Sequence, residues 1–465
     1  MKEKPKLFGT AGIRGPYGLK VTADLVFQVS QAVAQLYPSE GIVVGHDART
    51  SSEALGQCAT AAVSLAGGKV YKVGLCTFPV MANLTLDEKH TVAIYITASH
   101  NPPADNGIKV LRNGREFVEG EQDEIEGIIR ERSNQNLSIQ HAKWSEIIPQ
   151  NEINNANERY YTRLTNELQL DGAGKKIIID CANGPMSVLA PNLLSNLGFS
   201  VTSINSTVDG HFPGRLAEPS PSNLSVLMDL CKKEDSIGFA FDGDGDRLAI
   251  IDENGNFMEL SRINALLASL VIKEYGPGKI VLSIDSSTSI DMTVEKLGAE
   301  VVRTKLGELH TKGKELVDNG ERIVFAAEPW KPIFPNWGFW IDGLYALLNF
   351  LKVIISRKIT VSELMKDIPV HIAERRAYIV EEAKAFEIFE KSKIQLKESV
   401  VNERKEELTI DGLRYDFEDG TWILIRKSGT EPKIRIYYES PTQERFEWIE
   451  TIVKKLENII EGKGD

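Results

Sequence analysis

The segment KIIIDCANG, Lys176 to Gly184, holds three isoleucines that run into an acid and then into small, turn-forming residues. A short β-branched run bounded this way predicts a buried strand. The amphipathic stretch near Val188–Leu197 predicts a helix, and VTSI after it predicts a second strand. The same pattern occurs on either side. IVVGHD (Ile42–Asp47) leads to a helix through Leu55–Leu65 and then to KVYKVG. KIVLSID (Lys279–Asp285) leads to a helix near Met292–Leu297 and then to EVVRT. Strand and helix alternating at this spacing predict parallel, crossover-linked units. Three such units predict three related α/β domains. The last hundred residues differ. VHIAERRAYIV, ELTIDGLRYDF and TWILIRKSG read as strands, with helices at Ala383–Lys393 and Arg445–Leu456, which predicts an α+β domain with its helices on one sheet face. The expected domains are 1–150, 151–254, 255–368 and 369–465. The polar stretch SNQNLSIQHAKWSEI near residue 133 reads as a surface connection.

At 465 residues, 42% hydrophobic and 26% charged, the chain has the composition of an ordinary globular protein with several cores. Its net charge of −12 argues against sequence-independent nucleic-acid binding, which needs a basic face. The four cysteines (Cys58, Cys76, Cys181, Cys231) show no CxxC spacing and read as small buried hydrophobes in a reducing compartment. MKEKPKLFGT has no apolar leader, and no run of 18 apolar residues occurs. A soluble, cytoplasmic monomer or dimer is expected, with neither nucleic acid nor membrane as partner.

Four motifs carry chemistry. In ITASHNPPADNGIKV (Ile96–Val110) a buried strand runs into a small polar loop, with Ser99 expected at the exposed strand end, where open α/β sheets bind ligands. His100, Asn101, Asn106 and Lys109 keep it company; the plain alternative is a serine in a turn. In FAFDGDGDRLAIID (Phe239–Asp252) Asp242, Asp244 and Asp246 alternate with glycines between two strands. Carboxylates this close repel one another, and an all-oxygen set suits Mg²⁺ or Ca²⁺. Glu253 falls at position 12 of an EF-hand count, but Arg247 stands at position 6, where that loop needs glycine, and strands flank the loop. In IRKSGTEPKIRIYYES (Ile425–Ser440) Arg426, Ser428, Gly429, Thr430 and Arg435 read as a nest for a phosphate dianion, or as an unoccupied polar hairpin loop. In KLFGTAGIRGPYG (Lys6–Gly18) Arg14 lies in a glycine-rich loop near Thr10, by itself a weak signal.

FGTAGIRG, TASHNP, DGDGDR and RKSGTEPKIR, in this order from Phe8 to Arg435, resemble the signature set of the α-D-phosphohexomutase superfamily, which includes phosphoglucomutase, phosphomannomutase and phosphoglucosamine mutase. The resemblance implies a heart-shaped, four-domain fold: three α/β domains with mixed sheets and a C-terminal TATA-binding-protein-like α+β domain. It implies a mutase that interconverts hexose 1- and 6-phosphates (glucose, mannose or glucosamine) through a phosphoserine and a bisphosphorylated sugar. By the same resemblance Ser99 is the phosphoserine; Ser99, Asp242, Asp244 and Asp246 hold one Mg²⁺; and Arg14, His100 and Lys109 surround the transferring group. Arg247, Lys305 and Glu328 contact substrate, and Arg426, Ser428, Gly429 and Thr430 hold the non-reacting phosphate. Glucose 1,6-bisphosphate or a similar compound is the implied activator, and enclosure of the sugar implies hinge motion of the last domain. A non-catalytic sugar-phosphate sensor and a phosphatase acting through Ser99 are the competing readings.

One stretch departs from the family. The sugar-recognition loop usually reads close to GEXSGH. Here AEPWKPIFPNWGFWID (Ala327–Asp342) keeps Glu328 but puts Trp330 and Pro332 at the serine and histidine positions. Three prolines argue against helix or central strand. Trp337 and Trp340 read as packing residues and Trp330 as facing the sugar; an interface role is the third possibility.

Overall fold

The computed structural model of the chain describes residues 6–9, 12–135, 141–401, 403–428 and 432–462. Packing divides the chain into two compact units, residues 1–258 with 330–364, and residues 259–329 with 365–465.

The first unit holds two α/β sheets. One runs in the order Ile13–Pro16, Asp105–Arg112, Val92–Ile96, Gly41–His46, Lys69–Leu75, Asn151–Glu152. Gly41–His46 pairs parallel with Lys69–Leu75 and with Val92–Ile96, as crossover connections require. Asp105–Arg112 returns antiparallel, so the loop between it and Val92–Ile96 is short and tight. The second sheet is Leu248–Ile251, Ile237–Phe241, Lys176–Asp180, Ser200–Ile204. Lys176–Asp180 and Ser200–Ile204 are parallel; Ile237–Phe241 and Leu248–Ile251 form a hairpin across the DGDGDR turn. The crossover helix is Met186–Asn196, near the expected span.

The first unit also contains the tryptophan-rich stretch, and here the expectation of a broken loop is corrected. Lys331–Phe334 and Gly338–Ile341 form an antiparallel hairpin. Its pairing runs through Ile333 and Phe334 with a register shift between them, and Pro335 is in the turn. Trp337 and Trp340 are 2% and 0% exposed, as the packing reading expects. Their indole N–H groups donate to Asp342 Oδ2 (2.8 and 3.2 Å), which also accepts from the Tyr160 hydroxyl, while Asp342 Oδ1 caps the next helix through Tyr345 N–H (3.0 Å). Trp337 stacks on Tyr345 at 4.7 Å.

The second unit holds the parallel strands Glu300–Thr304, Lys279–Ser283 and Ile323–Glu328. Its helix spans Thr288–Glu295, earlier than expected, because the Ser287 hydroxyl caps it by accepting Ser289 N–H. The C-terminal sheet is antiparallel, in the order Ile372–Ile379, Lys433–Ser440, Trp422–Lys427, Leu413–Phe417, Arg404–Leu408, with helices Ala385–Val400 and Gln443–Glu461. Both helices contribute to one apolar cluster with that sheet, as an α+β domain requires. Arg414, 0% exposed, fastens this sheet to the Lys279–Ser283 strand end by donating to the carbonyls of Ile284 (2.5 Å) and Ser286 (2.8 Å). Glu439 accepts from the Ser287 hydroxyl (2.6 Å), and its carboxylate lies 2.6 Å from His371 Nδ1.

Cys76, Cys181 and Cys231 are buried; Cys58 is part-exposed. Trp144, in the polar connection, is exposed, and residues 136–140 of that stretch lie outside the described residues. Among the described residues no helix is long and apolar enough to cross a membrane.

Candidate active site

The short return after strand Val92–Ile96 puts Ser99 in the left-handed region, φ 50°, which residues with a Cβ use sparingly. Buried polar contacts hold it there. Ser99 N–H donates to Thr97 Oγ1 (2.8 Å), and the Thr97 hydroxyl lies 2.8 Å from Asp47 Oδ2 and 3.1 Å from Asp244 Oδ2. Arg49, fully buried, donates through Nε to Asp47 (3.1 Å) and through its terminal nitrogens to the carbonyls of Ser99 (2.8 Å), Asn101 (2.7 Å), Pro102 (2.5 Å) and Asp105 (3.0 Å). One guanidinium therefore holds four carbonyls between Ser99 and Asp105. Asp47 and Arg49 carry no motif of their own; their sequence signal is a charged pair directly after the strand Gly41–His46.

Ser99 is 1% exposed, which corrects the expectation of an exposed strand end. The DGDGDR turn lies against it. A Cβ on Gly243 would stand 2.4 Å from the Ser99 carbonyl oxygen, so this approach requires glycine. Ser99 Oγ donates to Asp242 Oδ2 at 2.7 Å, and His100 Nδ1 lies 3.3 Å from the same Oγ.

Asp242, Asp244 and Asp246 are all buried, with one carboxylate oxygen from each within 4.8 Å of the others. Asp242 Oδ1 accepts the N–H groups of Gly245 (3.0 Å) and Arg247 (3.1 Å). Asp244 Oδ1 and Asp246 Oδ1 are buried and accept no hydrogen bond among the described residues. Burial and mutual repulsion push the Asp242 carboxyl well above its ordinary range and raise Asp244. Burial also opposes ionisation of Asp246, but Lys109 and Arg247 overcome it and hold that carboxyl at about 2. Two orphaned carboxylate oxygens in a buried cluster of three fit a hard divalent cation. Glu253 is elsewhere occupied: it accepts Val361 N–H (3.1 Å) and Ser362 N–H (3.3 Å) at a helix start, so the EF-hand count has no structural counterpart.

Cations surround the cluster. Lys109, buried over the Phe78 ring, puts Nζ 2.9 Å from Asp246 and 3.4 Å from Asp244. Burial works against its charge, yet Asp244, Asp246 and Glu116 outweigh that and raise it above its ordinary value. Arg14, on the strand Ile13–Pro16 opposite Gly107, has a buried Nε without a partner among the described residues. Burial, then Arg247 and Arg14, push His100 down to about 2, so its imidazole is neutral at ordinary pH. Arg247 lies 3.5 Å from Glu218 and 5.9 Å above the Trp330 ring; Trp330 in turn packs edge-on against Phe257 at 6.2 Å. The structure therefore brings Ser99, His100, Arg14, Lys109, Arg247, Trp330 and the three aspartates together in the first unit.

The remaining expected residues belong to the second unit. Glu328, at the end of strand Ile323–Glu328, is buried and accepts Gly307 N–H (2.5 Å). Lys305, on the same loop as Gly307, lies 3.3 Å from Glu308 and is half-exposed. Arg426 and Arg435 face each other across paired strands. Ser428 is buried, and its N–H closes the hairpin on the Lys433 carbonyl (2.9 Å). Gly429 and Thr430, like Thr10, lie outside the described residues.

The chain matches the descriptions "Phosphoglucomutase/phosphomannomutase, alpha/beta/alpha domain I" over residues 5–136, domain II over 158–255, domain III over 261–371, and the C-terminal domain over 359–456. It is 37% identical over 464 residues to a phosphopentomutase of Thermococcus kodakarensis, covering 98% of this chain and 100% of that one. It is 32% identical over 467 residues to a probable phosphoglucosamine mutase of Methanopyrus kandleri, with the same coverage. A phosphoglucomutase/phosphomannomutase family protein of Burkholderia thailandensis superposes with a TM-score of 0.85 at 24% identity, covering 99% of this chain and 98% of that one. The residues around Ser99, the four matched regions and full-length identity above 30% lead to one conclusion: the chain belongs to the phosphoglucomutase/phosphomannomutase family of the α-D-phosphohexomutase superfamily and is a mutase of that type.

Proposed function

We propose that the chain moves a phosphoryl group between the 1-hydroxyl and the terminal hydroxyl of an aldose phosphate through phospho-Ser99. The observation that carries this reading is the Ser99 hydroxyl set 2.7 Å from Asp242, inside a buried, cation-ringed carboxylate cluster. Asp242, Asp244, Asp246 and the Ser99 phosphate would hold one Mg²⁺, which supplies charge neutralisation for the transferring group. The chain's own part is positioning and charge. Arg49 and Asp47 fix the serine loop, while Lys109, Arg14 and Arg247 bring positive charge to the equatorial oxygens. Neutral His100 hydrogen-bonds at the seryl oxygen. As the P–Oγ bond breaks, a P–O bond to the sugar hydroxyl forms and the proton of that hydroxyl passes to the seryl oxygen; the resulting bisphosphate then returns its other phosphoryl group to Ser99, with the proton moving back. Arg426, Ser428, Gly429, Thr430 and Arg435 hold the phosphate that is not reacting, and Lys305 and Glu328 contact the sugar. Glucose 1,6-bisphosphate or an equivalent primes the serine. The four domains divide at 1–150, 151–254, 255–368 and 369–465, and the enzyme works in the cytoplasm.

Glucose, mannose and glucosamine phosphates are the hexose candidates. A pentose phosphate is the second reading, favoured by the relative named phosphopentomutase. The core claim is tested by incubation with glucose 1,6-bisphosphate and Mg²⁺, then mass spectrometry of the Ser99 peptide. Phosphate on Ser99 is expected, and none when a chelator is present from the start. An unmodified Ser99, or full turnover by Ser99→Ala, overturns it; water as the acceptor would instead mark a phosphatase, and binding without turnover a sensor. A panel of glucose, mannose, glucosamine, N-acetylglucosamine and ribose 1-phosphates identifies the sugar.

A further inference from the structure

The turn Asp411-Gly412, between strands Arg404–Leu408 and Leu413–Phe417, belongs to none of the motifs above. It is pressed against the end of strand Trp422–Lys427. Gly412 has φ 98°, and a Cβ there would stand 2.3 Å from the Ile425 carbonyl oxygen and 2.8 Å from Arg426 Cβ. No residue with a side chain fits this approach, so the turn brings the Asp411 carboxylate to Arg426.

Asp411 Oδ2 lies 2.9 Å from Arg426 Nη2 and also accepts Leu306 N–H at 3.4 Å. Leu306 precedes Gly307, whose N–H is bound by Glu328. The carboxylate is thereby anchored to a loop that is itself pinned, and its position is not set by Arg426 alone. The Arg426 guanidinium is largely buried, and its Nε has no hydrogen-bond partner among the described residues. A buried donor left unpaired is costly unless a ligand takes it. Arginine binds phosphate best through a fork whose plane is fixed in advance, because less rotamer freedom is then lost on binding.

We propose that Asp411 is a positioning residue: it locks the Arg426 guanidinium in the orientation in which its remaining donors hold the non-reacting phosphate of the sugar. This rests on the mutase reading for the identity of the ligand. A purely structural ion pair would support the sheet and have no bearing on how tightly phosphate is held.

The test is equilibrium binding of glucose 1-phosphate and of ribose 1-phosphate to the Ser99→Ala protein, in which phosphoryl transfer plays no part. Asp411→Asn keeps the shape of the side chain and removes its charge. In the Ser99→Ala background it raises Kd about tenfold, the effect of one charge-assisted contact. In a protein that also carries Arg426→Ala, the same change alters Kd less than twofold, because the group it positions is gone. Thermal melts establish that each variant is folded, and Asp411→Glu, which retains the charge, recovers part of the lost affinity. Three results overturn the proposal: an unchanged Kd in Asp411→Asn, an equal loss with and without Arg426, or no measurable binding of either sugar phosphate. Failure of the mutase reading shows separately, as absence of phosphate on Ser99 in the otherwise unaltered enzyme.

Discussion

At the scale of single residues, the site depends on side chains outside its motifs that hold the backbone in place. Arg49 makes four carbonyl contacts with the loop that carries Ser99, and a lysine has neither the fork nor the reach to keep them. Arg49→Lys is therefore expected to slow phosphorylation of Ser99 by about 100-fold, the effect of a misplacement near 1 Å, in single-turnover kinetics with glucose 1,6-bisphosphate. Trp330 lies beneath Arg247 and against Phe257, and we propose that it bears on the sugar end of the reaction. Trp330→Ala is expected to raise KM up to about tenfold, or to shift the preferred sugar, with Ser99 phosphorylation intact; a cation–π contact of ~1 kcal/mol sets the scale. TASHNP and DGDGDR are legible in the sequence as chemistry because each packs its functional residues into a few positions. Asp47, Arg49 and Asp411 are not, because their partners lie elsewhere in the chain and only folding brings them together.

At the scale of elements, the hairpin Lys331–Phe334/Gly338–Ile341 answers the question its tryptophans raise. Two of them are donors to one buried carboxylate, Asp342, which also caps the helix Gly343–Arg357. Burial raises the Asp342 carboxyl, and the surrounding donors act against that rise. Trp337→Ala removes a donor and a ring stacked on Tyr345, and is expected to cost about 3–5 kcal/mol, read as a fall in the chemical-denaturation midpoint. Turnover per folded molecule stays within a few-fold, since Trp337 has no hydrogen bond to Ser99, Asp242, Asp244 or Asp246 among the described residues. Prolines in the stretch argue for a loop on local grounds alone. The hairpin forms through cross-strand pairs of Ile333 and Phe334 with a register shift between them, a detail of strand pairing that a local reading does not contain.

At the scale of the whole molecule, the last sheet and the Lys279–Ser283 sheet share one compact unit, bound by Arg414, Glu439 and the apolar residues Ile284, Trp422, Leu424 and Tyr437. This packing opposes the expectation that the last domain hinges by itself. With Cys58 replaced by serine and spin labels at Lys314 and Glu447, the inter-label distance is expected to stay constant when sugar phosphate is added; a shift of several ångströms would restore an independent hinge. Glu439 also makes this unit sensitive to acid. Burial pushes its carboxyl up, but contacts with His371 and Ser287 outweigh burial and hold it below its ordinary value of 4.5. A lowered carboxyl favours the folded state above 4.5 and loses that contribution as pH falls through the folded value. Glu439→Gln is expected to cost about 2 kcal/mol near pH 7, with the difference from the unaltered protein closing below pH 4.5 in denaturant titrations.

The sequence by itself determined the class of each sheet, the order of the four regions and the residues we propose carry phosphoryl chemistry. Strand periodicity and short polar motifs are local properties, and neighbours in the chain settle them. The tertiary structure alone decided that Ser99 is buried in a left-handed turn under Arg49, that two tryptophans serve Asp342, and that Asp411 holds Arg426. Each of those facts is a contact between residues far apart in the chain, made where a buried polar group must find a partner once water is gone.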